Sequence, residues 1–385
     1  MKDRIQSSVR RVKRRALRSV ATVCLLGGLT VLAGCYGGDF DVANAPLPGD
    51  VIKTMDKLGV TAYDPIFIRV FKKEAELEVW KRQSSGEMAL LKTYEICAWS
   101  GELGPKFKEG DRQAPEGFYS VTPGLMNPNS SFHLAFNLGF PNAFDRSHDR
   151  TGSFLMVHGA CSSAGCYSME NDQMEEIYAL ARDAFTGGQQ AFQVHAFPFR
   201  MTPENMALFS ADDHMPFWRN LKEGYEHFEL TRMEPIVHAC GRRYVFNATA
   251  KDDETFEADK PCPDYEVTPA LKRVVDAKIL GDRARERAIT KSWTTPEERR
   301  YRELTTRLKI EKERVQRFAD RGLGFSSHQK RRVVDIERQL ADLGFVEQPV
   351  VANIPSPRPR PLPGSTASGS DGFSPAAFVS SFWRN

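Results

Sequence analysis

His158-Gly159-Ala160-Cys161-Ser162-Ser163-Ala164-Gly165-Cys166 is the stretch on which the reading of this chain turns. It sets a histidine and a cysteine eight residues apart and places glycine directly before the cysteine. A thiol becomes a strong nucleophile beside a base, and the oxyanion it creates on an acyl group needs backbone N–H donors. Glycine before the nucleophile lets the backbone approach a substrate closely. Upstream, Gly152-Ser-Phe-Leu-Met-Val157 reads as a buried strand. Downstream, Asn171 to Arg182 opens a helix with Met174, Ile177, Tyr178, Ala181 and Phe185 on one face, ending at Gly187-Gly188. The pair therefore lies on a strand-to-helix connection, where a rigid scaffold holds reactive side chains.

Further strands are predicted on both sides of that stretch. Pro65 to Lys72 and Ala75 to Lys81 alternate with period two, Met88 to Cys97 continues their sheet, and Gly117–Val121, Ser131–Phe136 and Ala191–His195 add more. A mostly-β core with a few helices, an α+β fold, follows. Beyond residue 268 the composition changes. Residues 271–345 hold 20 Lys/Arg against 12 Asp/Glu, whereas residues 36–270 hold 22 against 35, so the net charge of +3 conceals an acidic body and a basic extension. The extension reads as a helix from Ala270 to Ala288, then a hairpin. Thr295-Pro296 starts its first helix, Arg321 to Ser327 breaks it, and Val333, Ile336, Leu340 and Leu343 mark the second. Such helices are either a solvated pair or a partner-binding surface. After Phe345 the chain is Pro-rich (Ile354 to Pro363) and then Gly/Ser-rich, a composition that stays extended or disordered. No P-loop, dinucleotide fingerprint or nucleic-acid motif is present in the sequence.

The first 20 residues carry eight Lys/Arg and one Asp; an apolar run from Ala21 to Gly34 follows and ends in Leu32-Ala-Gly-Cys35, the form of a bacterial lipobox. Cleavage before Cys35 would leave a lipidated thiol, and Tyr36 in second place leans towards the outer membrane. Five cysteines then remain for an oxidising compartment, an odd number: Cys97, Cys161, Cys166, Cys240 and Cys262. Cys240 and Cys262 flank one segment and are placed to pair, while Cys97 and Cys161 are left unassigned. A Cys161–Cys166 pair would switch the thiol off.

Ser163-Ala164-Gly165-Cys166 with His158-Gly159 resembles the Ser-x-Gly-Cys signature of the L,D-transpeptidase catalytic domain (YkuD type). Pro115-Glu-Gly-Phe-Tyr119 resembles that family's Pro-x-Gly-x-Tyr/Phe turn. Phe136 to Arg146, Val194 to Met201 and Phe217 to Lys222 are similar to its YafK-like branch. The resemblance covers roughly residues 62–250. It implies a Cys166 nucleophile, a His158 base oriented by the Gly159 carbonyl, and oxyanion donors near Gly165 and Cys166. It also implies an acyl-enzyme formed on peptidoglycan stem peptides with loss of D-alanine, and no cofactor. Ser163, Tyr167, His195 and Arg200 are the candidates for shaping the site or touching substrate. In many relatives the residues after the cysteine are aliphatic and then Arg or Asn; here they are Tyr167-Ser168-Met169, which leaves the acceptor open.

The boundaries drawn are a leader over 1–34, a lipidated start and linker over 35–61, a catalytic domain over 62–268, a basic helical extension over 269–345 and a tail over 346–385. The expected location is the periplasmic face of a membrane, held through lipid on Cys35, with stem peptides and an outer-membrane or wall-attached protein as partners. Two other readings use the same residues differently. Water as acceptor would make a peptidase or amidase, and an idle thiol would leave a wall-binding lipoprotein. A zinc site from His158, Cys161 and Cys166 is disfavoured, because no second Cys/His pair stands at a familiar spacing.

Overall fold

The computed structural model describes residues 42–293, 295–323 and 327–344; the expected leader, Cys35 and the tail over 346–385 lie outside them. The described chain is α+β, as expected, and divides into two compact units, one of residues 42–205 and 213–284, the other of residues 206–212 and 285–344. No helix among the described residues is long and apolar enough to cross a membrane.

The first unit begins with helix α1 (Gly49–Leu58), followed by strands β1 (Ile66–Phe71), β2 (Glu76–Arg82), β3 (Met88–Glu95), β4 (Ala98–Trp99), β5 (Gly117–Val121), β6 (Met126–Ser130) and β7 (His133–Asn137). A short helix α2 (Ala143–Ser147) leads to β8 (Met156–His158), β9 (Tyr167–Ser168), α3 (Asn171–Thr186) and β10 (Phe192–Phe197). After α4 (Pro203–Leu208), whose residues 206–208 belong to the second unit, and α5 (Met215–Thr231) come β11 (Val237–Cys240), β12 (Arg243–Phe246), β13 (Ala248–Ala250), β14 (Tyr265–Val267) and α6 (Pro269–Ser292).

Two five-stranded sheets carry the unit, in the orders β3-β2-β1-β10-β5 and β4-β9-β8-β7-β6. In the first, β1 is parallel to β10 and antiparallel to β2. Every residue of β1 is buried, as the near-continuous apolar run Ile66-Phe67-Ile68-Arg69-Val70-Phe71 demands of a strand covered on both faces. The exception, Arg69, donates to Glu229 at 2.8 Å and lies 4.7 Å from the ring centroids of both Tyr225 and Phe228. In the second sheet β8 is parallel to β9, with Val157 opposite Tyr167 and His158 opposite Ser168. Helix α3 contacts β7 of one sheet and β1 of the other, burying Met174, Ile177, Tyr178 and Ala181.

Residues 42–61, expected to be linker, are packed instead. Val51 and Met55, one helical turn apart, are buried on α1, and Gly59 (φ 68°) closes that helix with its N–H on the Asp56 and Met55 carbonyls. Arg182 of α3 holds the preceding turn by donating to Ala43 O (2.8 Å) and Ala45 O (3.0 Å). The boundary expected at residue 268 is also displaced. The first part of α6 belongs to the first unit: Val275 is buried, and Asp282 accepts from Lys222 at 2.7 Å.

A buried ion pair fixes the long loop between β4 and β5. Lys72 Nζ donates to Glu116 Oε1 (2.9 Å) and to the carbonyls of Gly104 and Ala114 (both 3.0 Å), and Trp218 Nε1 of α5 donates to Glu116 Oε2 (2.8 Å). Both charged side chains are fully buried. Removing one partner leaves the other charge stranded, so Glu116→Ala should cost about 3–5 kcal/mol of stability. Urea unfolding measures this, and a midpoint within error of the parent would refute it.

The second unit contains helices α7 (Pro296–Asp320) and α8 (Ser327–Asp342). Thr295 caps α7 by accepting from Glu298 N at 3.0 Å, with Pro296 in the first turn, as the sequence predicts. Leu304, Ile336 and Leu340 form the hairpin's core, with Tyr301, Leu308 and Leu343 packed against it.

Candidate active site

The parallel pairing of β8 with β9 sets the site. Cys166 immediately precedes β9, two residues before Ser168, and Ser168 is the register partner of His158. Side chains two residues apart on an extended chain share a face, so this register puts Cys166 on the same face as His158. The Cys166 Sγ accepts from Met156 N at 3.4 Å and lies 3.7 Å from Phe154 O. It is the free thiol among the described residues. Cys97 is bonded to Cys161 and Cys240 to Cys262. The first pair removes Cys161 both from the zinc set weighed above and from pairing with Cys166.

His158 is 3 % exposed at the end of β8. Its Nδ1 lies 2.6 Å from Gly159 O, which only accepts, so Nδ1 carries the proton and Nε2 holds the lone pair. The Phe132 ring lies against the imidazole, centroids 5.0 Å apart. Burial lowers the His158 pKa below the ordinary imidazole range, and the bond to Gly159 O opposes that. Burial likewise pushes the Cys166 thiol up, against the Met156 N–H and the charge of Lys106. Burial therefore disfavours both the imidazolium and the thiolate in the resting site.

Glycine is required at 159. A Cβ there would stand 2.8 Å from Asn171 Oδ1 and 3.0 Å from His133 Cβ. Between base and thiol the chain adopts left-handed backbone at Ala160 (φ 60°), Cys161 (φ 34°) and Gly165 (φ 135°). Such conformations persist where surrounding bonds hold them. Ala160 N–H donates to Asn171 Oδ1 at 2.8 Å, and the disulfide to Cys97 holds Cys161. Ser163 Oγ lies 2.7 Å from Cys166 O and accepts from Gly165 N–H at 3.3 Å, so it braces the turn that presents the thiol.

Three side chains expected near substrate are placed elsewhere. Tyr167 is fully buried and its hydroxyl donates to Pro115 O at 2.6 Å, because the residue after the nucleophile faces the opposite side of the sheet. His195 is fully buried between the edges of Phe67 and Phe118, with Nε2 2.8 Å from Gln193 Oε1, and braces the core. Arg200 is engaged by Glu76 (2.5 Å) and Glu78 (2.7 Å) and covers Phe71.

The residues missed in the sequence are those supplied by the β4–β5 loop and by the start of α3. Lys106 is buried and paired with Asp111 at 2.5 Å. Asp111 also accepts from Phe107 N, Lys108 N and Gln113 N, which gives the loop its form. A buried lysine amid Gly104-Pro-Lys-Phe-Lys-Glu-Gly110 leaves no pattern to find, and Asn171, at the first position of a predicted helix directly after its N-cap Glu170, reaches back to Ala160 N–H rather than capping the helix.

The chain is 44% identical over 181 residues to the protein named "Putative L,D-transpeptidase YafK" in Escherichia coli (strain K12), a match covering 47% of this chain and 73% of that protein. The protein of the same name in Escherichia coli O157:H7 matches to the same extent. Among solved structures, the helical cell shape determining protein Pgp2 from Campylobacter jejuni is 16% identical with a TM-score of 0.28, over 61% of this chain and 77% of that one. Bd1075 of Bdellovibrio bacteriovorus is 23% identical with a TM-score of 0.25, over 36% and 49%. No family model matches the sequence.

Proposed function

This chain belongs to the L,D-transpeptidase family in its YafK-like branch, and from that premise we propose that it is a cysteine acyltransferase of the cell wall, with Cys166 as nucleophile and His158 as base. The observation that carries the reading is the tautomer fixed by Gly159. With Nδ1–H committed to that carbonyl, Nε2 is the nitrogen available for the thiol proton.

The Cys166 Sγ attacks the carbonyl carbon of diaminopimelate in the amide it shares with terminal D-alanine, and the thiol proton passes to His158 Nε2. The Cys166 N–H stabilises the oxyanion; the Gly165 N–H, expected to share that role, would first have to leave Ser163 Oγ. Collapse breaks the C–N bond, His158 returns the proton to the departing amine, and D-alanine leaves behind a thioester on Cys166. An incoming amine attacks the thioester and yields a proton to His158. The C–S bond then breaks and the thiol is restored. The backbone carbonyl of Gly159 takes the orienting place that a carboxylate holds in a Ser–His–Asp triad.

The accompanying location is the periplasmic face of a membrane, with lipid on Cys35 as anchor. The two disulfides suit an oxidising compartment. The deciding experiment incubates the full chain with purified tetrapeptide muropeptides, with and without a D-amino acid, and follows products by mass spectrometry. Exchange of D-alanine or cross-linked dimers is the expected result. Tripeptide alone would make water the acceptor, and no Cys166-dependent product would defeat the reading.

A further inference from the structure

An open cavity of about 610 Å³ lies in the first unit, lined by Arg150, Arg219, Arg242, Arg243 and Arg283 together with the rings of Phe144 and Phe217. Asp213 and Glu223 are the acids at its wall. Glu223 is already committed, accepting from Arg243 at 2.8 Å on both oxygens. Five arginines thus line one cavity in a body whose residues 36–270 carry an excess of acids; of these, Arg150 is paired with Asp145 at 2.8 Å and Arg243 with Glu223. Among the described residues, the exposed Arg242 and Arg283 have no acceptor for their guanidinium groups, and the buried Arg150, bonded to Asp145 through Nη1 at 2.8 Å, has an Nε with no partner. That buried Nε is shielded from solvent and is no contact for a ligand; the exposed Arg242 and Arg283 guanidinium groups are the ones a carboxylate can reach.

The rings and the helix supply the rest of the site. Phe144 and Phe217 are stacked at 5.7 Å, and the Arg150 guanidinium lies 4.8 Å from the Phe217 centroid. The first turn of α5, through His214, Pro216 and Phe217, lines the same cavity, and no side chain caps it.

The cavity is joined to the nucleophile by two short segments. Pro105 and Phe107 line it, with the buried Lys106 between them. Thr151 N–H donates to Phe107 O at 3.0 Å, directly after Arg150 and shortly before Phe154 and Met156, which touch the Cys166 Sγ.

We propose that this cavity is a second binding site that holds the free carboxylates of a wall stem peptide beside the nucleophile's loop; this rests on the peptide-substrate reading given above. Planar guanidinium forks take carboxylate and phosphate alike, so the test separates the two.

Calorimetry with the full chain carrying Cys166→Ala measures binding of a stem tripeptide, the same tripeptide with its carboxylates amidated, and inorganic pyrophosphate. The acid should bind about tenfold more tightly than the amide. Arg242→Ala/Arg283→Ala, at two exposed positions on which folding does not depend, should weaken the acid about tenfold and close the gap to the amide. In the chain with Cys166 intact, the same pair should raise KM and spare kcat. Unchanged affinity for the acid in the double variant overturns the proposal, as does pyrophosphate binding more tightly than the tripeptide. If arginine-dependent binding holds but muropeptides are never turned over, the site stands and the transferase reading falls. Turnover with binding indifferent to the arginines has the opposite meaning.

Discussion

Cys166→Ala should leave a folded protein in which D-alanine release from tetrapeptide falls about a thousandfold or more. The fold does not depend on this sulfur. Its contacts are one N–H at 3.4 Å and one carbonyl at 3.7 Å, and the turn around it is held by Ser163, Asn171 and the Cys97–Cys161 bond. The rate should depend on it, because no other thiol among the described residues is free. Cys166→Ser should be nearly as inactive, since a hydroxyl is far less acidic than a thiol and burial lowers the basicity of the imidazole that would deprotonate it. The measurement is single-turnover D-alanine release, with urea unfolding as control. Residual activity within tenfold of the parent would remove Cys166 from the reaction.

His158→Gln should lower kcat/KM by about 10²–10⁴ at neutral pH and change its pH dependence. On the proposed mechanism the reacting form of the parent has a neutral imidazole and a protonated thiol. Burial disfavours the imidazolium, so the acid limb should lie below the ordinary imidazole range. Burial also disfavours the thiolate, so the alkaline limb should lie above the ordinary thiol range. Activity should therefore be flat through neutrality and fall on both sides. Without His158 the thiolate must form unaided, and the rate should climb about tenfold per pH unit until the thiol titrates. A variant whose profile parallels that of the parent would show that His158 is not the base.

Much of this was legible in the sequence for physical reasons. The histidine at a strand end, the glycine-rich turn and the amphipathic helix after it are local patterns, and local patterns survive in the fold. Strands β1, β2 and β5 and the capped start of α7 were equally plain. What escaped depends on distant partners. Strand β9 is two residues long and exists because β8 lies beside it. Its register turns Tyr167 inward, so adjacency to the nucleophile in sequence did not mean adjacency to substrate. Cys97 and Cys161 are 64 residues apart, and no spacing rule joins them. Helix α1 was hidden because only Val51 and Met55 of a charged stretch are buried. His195 and Arg200 sit in segments that match the family, yet one fills the core and the other answers two glutamates.

The pairing of Cys97 with Cys161 also bears on how the protein matures. Five cysteines lie among the described residues, and oxidation to the two observed bonds must leave out one particular member, Cys166. A chain oxidised at random would often trap that sulfur in a mixed bridge. It would reach its destination at full yield and remain inert until an isomerase reshuffled it. Specific activity would then report the quality of oxidative folding rather than the amount of protein made, and mild thiol exchange should awaken a dormant fraction without any change in mass of the polypeptide.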